Sequence, residues 1–293
     1  MNAVNSGSEP ESIAERQKPP PGALLLDHVA HFVGDIGAAA SLLEALGFRV
    51  TPLAAHQETG VPLGTSNRCL MLQDGYIEIL TPTLDTPNGR NVRAAMARYA
   101  GVHLACFGTP DAEAEHRRLQ AHGFAPQPIV ELARGIDAKR TVRFRVVLPA
   151  SGVMPEGRIQ YVQQLAPEHI WLPEHIAHEN GVTSLRAVYV VAADVVDVAA
   201  RWSRFTAALP SRNGDCVELR MTRGKAVIAS GETLSAILGD APAPPALAGY
   251  ALGCRDAAAF AGRCSAAGLA VKKNVDGYAV SLPPALGSTW VLT

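Results

Sequence analysis

Two histidines stand at one step of two similar segments. LDHVAHF, residues 26–32, returns as GVHLACF, residues 101–107, and stacking them puts His28 on His103, Ala30 on Ala105 and Phe32 on Phe107. Side chains at i and i+2 of a strand share a face. His28 therefore points with Ala30 and Phe32, and the small alanines keep that face open beside the histidines. His31 points the other way and is replaced by Cys106 in the second copy. Duplication that brings one imidazole from each copy into a shared cup is the simplest way to build a metal site from one ancestral segment. Arg143 and Arg145 also share a strand face in RTVRFRVVL. They fit either a clamp on a substrate carboxylate or an outer, wet face. His169, His175 and His178 crowd the segment EHIWLPEHIAHENG, whose spacing matches no standard ligand set and reads as a lid or hinge beside the cup.

The elements that position these residues repeat. After the apolar run LLLDHVAHFV comes DIGAAASLLEALGF, which opens at Asp35, carries apolar residues at helical spacing and stops at Gly47. Three more strand-like runs follow. From Gly101 the same order returns, with Asp111 near the helix start and Gly123 at its end. The histidines lie 75 residues apart and the glycines 76. The last strands, YIEILTP and YVQQLAP, align with Glu78 opposite Gln163, 85 residues apart, which places an insertion at LPASGVMPEG. The second half repeats the pattern twice more, with Asp194 in the place of Asp35 and Gly268 in that of Gly123. The fold class is therefore α+β: four βαβββ modules in two pairs, each pair a curved half-barrel sheet flanked by helices. The expected organisation is a disordered tail over residues 1–22, a first pair with the cup over 23–167, a linker over 168–181 and a degenerate second pair over 182–293.

Bulk properties narrow the partners. The chain has 293 residues, is 48% hydrophobic and carries a net charge of −1. No field draws in nucleic acid or an anionic membrane. No apolar run approaches the ~18 residues of a membrane span, and the start lacks the layout of a secretory signal. The five cysteines form no CxxC pair, so they read as small buried apolar residues in a reducing cytoplasm. A small molecule is the expected partner.

The opening LDHVAHFVGDIGAAASLLEALGF, the later GTSNR and GYIEIL resemble the glyoxalase-like branch of the vicinal oxygen chelate superfamily, which includes glyoxalase I, the extradiol dioxygenases and the bleomycin-resistance proteins. The likeness covers both units of the first half and is architectural over the second. It implies a divalent metal (Zn, Fe, Ni, Co or Mn) held by first-strand and last-strand positions, here His28, His103, Glu78 and Gln163, with Glu78 as ligand, base or both. Gln163 departs from the pattern, since an amide oxygen is a weak ligand. The likeness also implies substrate contacts from His56, Asn67 and Arg68. Carried to the second half, His28 maps to Ala187 and His103 to Ala248. That pair lacks every ligand and reads as structural or homodimer-forming.

The resemblance implies a metal-dependent lyase or isomerase acting on a small vicinal-oxygen substrate. An Fe(II) extradiol-type dioxygenase stands second, because the intact pair is N-terminal and Gln73 occupies the place of the usual tyrosine before the ligand glutamate. A metal-free binding or resistance protein stands third.

Overall fold

The computed structural model describes residues 12–58, 60–135 and 141–293. Unit one runs β1 (Leu25–Phe32), α1 (Ile36–Ala45), β2 (Ala54–Glu58), β3 (Val61–Met71) and β4 (Tyr76–Pro82). A connecting helix, α2 (Pro87–Met96), leads to unit two: β5 (Gly101–Gly108), α3 (Ala112–Ala121), β6 (Val130–Gly135), β7 (Thr141–Val147) and β8 (Arg158–Gln164). After a short helix, α4 (Pro173–Ile176), unit three comprises β9 (Val182–Val191), α5 (Val195–Thr206), β10 (Pro210–Asn213), β11 (Cys216–Arg220) and β12 (Lys225–Ala229). A second connecting helix, α6 (Gly231–Leu238), precedes unit four: β13 (Ala246–Cys254), α7 (Ala257–Ala266), β14 (Ala270–Asn274), β15 (Gly277–Ser281) and β16 (Thr289–Leu292).

Each unit helix starts at an aspartate whose side chain caps a free backbone N–H. Asp35 accepts from Ala38, Asp111 from Ala114, Asp194 from Asp197 and Asp256 from Ala259. Gly47, Gly123 and Gly268 follow their helices in the left-handed region, where a side chain would be strained.

The strands form two eight-stranded sheets, ordered β2-β3-β4-β1-β5-β8-β7-β6 and β10-β11-β12-β9-β13-β16-β15-β14. In the first, β1 and β5 meet antiparallel at the centre, and each runs parallel to the last strand of its own unit. The β1–β5 ladder holds two one-residue bulges, because the register skips Asp27 on β1 and His103 on β5. The β9–β13 ladder skips Arg186 and Ala248 at the corresponding places.

The faces of the two sheets that carry the unit helices share one core. Val29, Phe107 and Tyr161 of the first sheet join Val188, Tyr250 and Trp290 of the second, with Trp202 and Phe205 of α5 between them. His31 crosses this joint: Nδ1 donates to or accepts at the joint beside the Leu286 carbonyl (3.0 Å), and Nε2 meets the Tyr250 hydroxyl at 2.9 Å. The opposite face of each sheet is a cup. Helix α2 borders the first, with Val92 against Ala30 and Phe32. Helix α6 fills the second, with Leu234 and Leu238 among Tyr189, Val227 and Val291.

Two expectations change. Residues 1–11 of the expected tail lie outside the described residues, but residues 12–22 are not a free tail. Gln17 is fully buried, and its amide donates to the carbonyls of Ile13 and Gln73. The linker histidines do not gather. His178 accepts from the Arg49 N–H and donates to the Met71 carbonyl, while His169 bonds the Thr141 carbonyl. No helix among the described residues is long and apolar enough to cross a membrane.

Candidate metal and ligand site

The first cup encloses a cavity of about 720 Å³. Two rows of cross-strand neighbours form its floor. One reads Glu78, Ala30, Leu104, Arg158, and the other Tyr76, His28, Cys106, Gln160, each across β4, β1, β5 and β8. The pseudo-twofold axis exchanges the rows. The capping aspartates, Asp35 and Asp111, and the glycines Gly47 and Gly123 are both 76 residues apart, so the partner of His28 is Leu104. His103 corresponds to Asp27, the other bulge residue. By the same ladders Glu78 pairs with Gln160, and Tyr76 with Arg158. The expected 75-residue match of His28 to His103 is one residue out, because the bulge on β5 lies at His103 and that on β1 lies one step earlier.

The polar groups of unit one converge. His28 Nδ1 lies 2.6 Å from Asp27 Oδ1, which fixes the ring and turns Nε2 toward Glu78 Oε2 at 4.0 Å. Tyr76 stacks on the imidazole at 4.2 Å and is braced edge-on by Trp171. Asn67 Nδ2 donates to Glu78 Oε1 at 2.7 Å, and His56 Nε2 lies 3.5 Å from the same oxygen. Burial disfavours a charged His28, but Cys106 and the Asp27 carboxylate outweigh it and hold its pKa well above the ordinary value. Burial pushes the Cys106 thiol up.

This floor and the sequence agree on kinship. The glyoxalase-like domain family matches over residues 26–206, more than half of the chain. The chain belongs to that family. The match ends with α5, whose Trp202 and Phe205 pack on the first sheet. Among curated proteins no sequence matches. Three solved structures share the fold. A hypothetical protein from Staphylococcus aureus aligns over 92% of this chain and 99% of its own, with 12% identity and a TM-score of 0.64. A mutant of 4-hydroxymandelate synthase from Streptomyces coelicolor aligns over 92% of each chain, at 15% identity and 0.55. An Mn(II)-bound glyoxalase from Novosphingobium aromaticivorans aligns over 92% of this chain and 82% of its own, at 10% and 0.58.

In this glyoxalase-like protein the expected site residues separate into two groups. His28, Glu78, His56 and Asn67 line the cup together. His103 lines it too, but Nε2 donates to the Tyr99 carbonyl (2.9 Å) and the ring lies between Phe32 and Tyr99. Its Nδ1 is buried without a hydrogen-bond partner among the described residues. Burial lowers the pKa of His103 to about 4. Gln163 is turned away: its amide donates to the Pro110 carbonyl and accepts from Ala112 N–H at the start of α3. The cup-facing glutamine is Gln160. Arg68 lies between Asn67 and Cys69 on β3 and so faces away from the cup that both of them line. Arg143 and Arg145 do share a face, and it is the outer one. Arg143 is exposed, while Arg145 forms a two-pronged pair with Glu113 and another with Glu131. The carboxylate clamp expected of them is therefore not in the cup.

The residues present suit one side of a metal site. A ligating imidazole characteristically has its other nitrogen held by a carboxylate, as Asp27 holds His28. Donors each ~2.1 Å from one ion lie up to about 4.2 Å apart, so the 4.0 Å between His28 Nε2 and Glu78 Oε2 is a span one ion can fill. Unit two supplies a leucine and an amide where unit one supplies a histidine and a carboxylate. Asp27, His28 and Cys106 also bring ligand atoms within 4.8 Å of one another. Sequence reasoning missed Asp27, Tyr76, Arg158 and Gln160. The signal for Gln160 and Arg158 was the 76-residue spacing of the helix anchors.

Proposed function

We propose that the first cup binds a divalent metal through His28 and Glu78 and acts as a lyase or isomerase on a small substrate with vicinal oxygens. The observation that carries this is the His28–Glu78 pair, 4.0 Å apart, with Asp27 behind one and Asn67 behind the other. When bound, such an ion would polarise a carbonyl or hydroxyl oxygen as a Lewis acid. The chain's own residues handle position and protons. Asp27 fixes the His28 ring. Asn67 holds Glu78 Oε1, the atom placed to take a proton from carbon, and His56 Nε2 at 3.5 Å is placed to pass it on. Phe32, Leu80 and Leu104 keep the floor dry around them.

Leu104 and Gln160, at the positions that complete the ligand set in a symmetric cup, favour a second reading: a cup that holds its ligand without metal. Elemental analysis of tag-free protein separates the two. Near-stoichiometric zinc, iron, nickel, cobalt or manganese, lost in His28→Ala, is the expected result. No metal after soaking with each ion would leave the metal-free reading.

A further inference from the structure

The cup floor has a second pole. Arg158 is the twofold counterpart of Tyr76, but the two do different work. Tyr76 stacks on His28. Arg158 stands beside Leu104, where there is no imidazole to brace. Its Nη2 donates to Asn88 Oδ1 at 2.5 Å, and among the described residues it makes no ion pair. Arg98, the other arginine lining the cup, is engaged with the carbonyls of Pro155 and Pro245.

A guanidinium set among apolar walls without a carboxylate partner is costly unless an anion joins it. From these observations we infer that Arg158 recognises a carboxylate on the ligand of this cup, and that the ligand is a small carboxylic acid with an apolar body. The planar fork of donors matches a carboxylate, and one positive charge matches a monoanion better than a phosphate dianion. Val130, Leu132, Phe144, Val146 and Leu148 wall the same end of the cavity and give the apolar body its place.

The floor row fixes the spacing. Glu78 and Arg158 stand three strands apart in one row, roughly 14 Å between backbones at about 4.8 Å per strand. Both side chains reach into the cavity over Ala30 and Leu104, so one small acid can touch both. A polar arc holds the poles in register. Arg158 donates to Asn88, Asn88 Nδ2 donates to Thr65 Oγ1 at 3.1 Å, Thr65 Oγ1 meets His56 Nδ1 at 2.9 Å, and His56 faces Glu78. The inference rests on the cup being a small-molecule site, and not on its metal.

The test is calorimetric binding of 4-phenylbutyrate and of 4-phenylbutanol, which share one apolar body, to the full chain with and without chelator. The acid is expected to bind about 10–100-fold tighter than the alcohol. Arg158→Leu should bring that ratio near one by weakening the acid alone. Arg158→Lys should retain part of it, and Asn88→Ala should lower it a few-fold. Thermal melts of each variant report folding, and the lysine variant keeps the test open if the leucine variant does not fold. His28→Ala should keep the preference, which separates this pole from the metal reading. Equal binding of acid and alcohol by the wild type, or a preference that survives Arg158→Leu, would overturn the inference. So would a preference that exists only with metal and vanishes in His28→Ala, or displacement of the acid by inorganic phosphate more readily than by acetate.

Discussion

The two cups of this molecule are built from the same strands in the same order and have come to different ends. At the four floor positions the first carries His28, Glu78, Leu104 and Gln160, and the second carries Ala187, Val227, Gly249 and Val291. The first is open and holds a ring of mutually oriented polar groups. The second is packed shut by Leu234 and Leu238 of α6. A buried histidine or carboxylate at these steps is therefore nothing the fold demands. Within the first cup the contrast recurs in miniature: unit one supplies imidazole and carboxylate, while unit two supplies a cation and an apolar wall.

That contrast can be broken by experiment. The largest expected effect is loss of bound metal, from near one per chain to background, in His28→Ala or Glu78→Gln. Unchanged metal content by elemental analysis in both would erase the chemical distinction between the cups. In the second cup Leu234→Ala should cost about 2–5 kcal/mol in denaturant unfolding, as a cavity in a packed core does, and leave metal content alone. Asp27→Asn should weaken metal affinity roughly 10–100-fold in a competition titration, the usual effect of losing the group that orients a ligating histidine. Leu104→His combined with Gln160→Glu, which makes unit two imitate unit one, should tighten metal binding by about tenfold; weaker binding would show that the asymmetry is required. The smallest effect is on acid stability. Burial lowers the pKa of His31 and of His178 to about 4 from 6.5. The unfolded chain then binds more protons than the folded one between these values. Their contribution is whole above pH 6.5 and is lost as pH falls through 4, so His31→Gln should flatten the stability profile measured by denaturant titration across that window.

Much of this was legible in the chain. The capping aspartates and the stop glycines gave four units, and period-2 alternation put His28 on the open face. It also placed Arg143 and Arg145 on one face, but alternation does not say which face looks inward, and theirs looks out to Glu113 and Glu131. The His28–His103 match failed for a physical reason. A bulge adds one residue to a strand without marking it, so likeness of letters and identity of place diverge by one step. The caps, where a side chain must meet a particular N–H, kept the true spacing. Gln163 was misplaced similarly, because similar strand endings outweighed the ladder that pairs Cys106 with Gln160. The connecting helices α2 and α6 lie between repeats, where self-comparison has nothing to compare.

The joint between the sheets has a consequence for inheritance. The aromatic residues that hold the halves together, Phe107, Tyr161, Trp202 and Trp290, all lie on the side away from the cups. Exchanges on the cup floor therefore leave that joint untouched. A lineage carrying this scaffold can lose a ligand, gain an arginine or plug a cavity in single steps and still fold, so activity in such a family is expected to turn over faster than architecture.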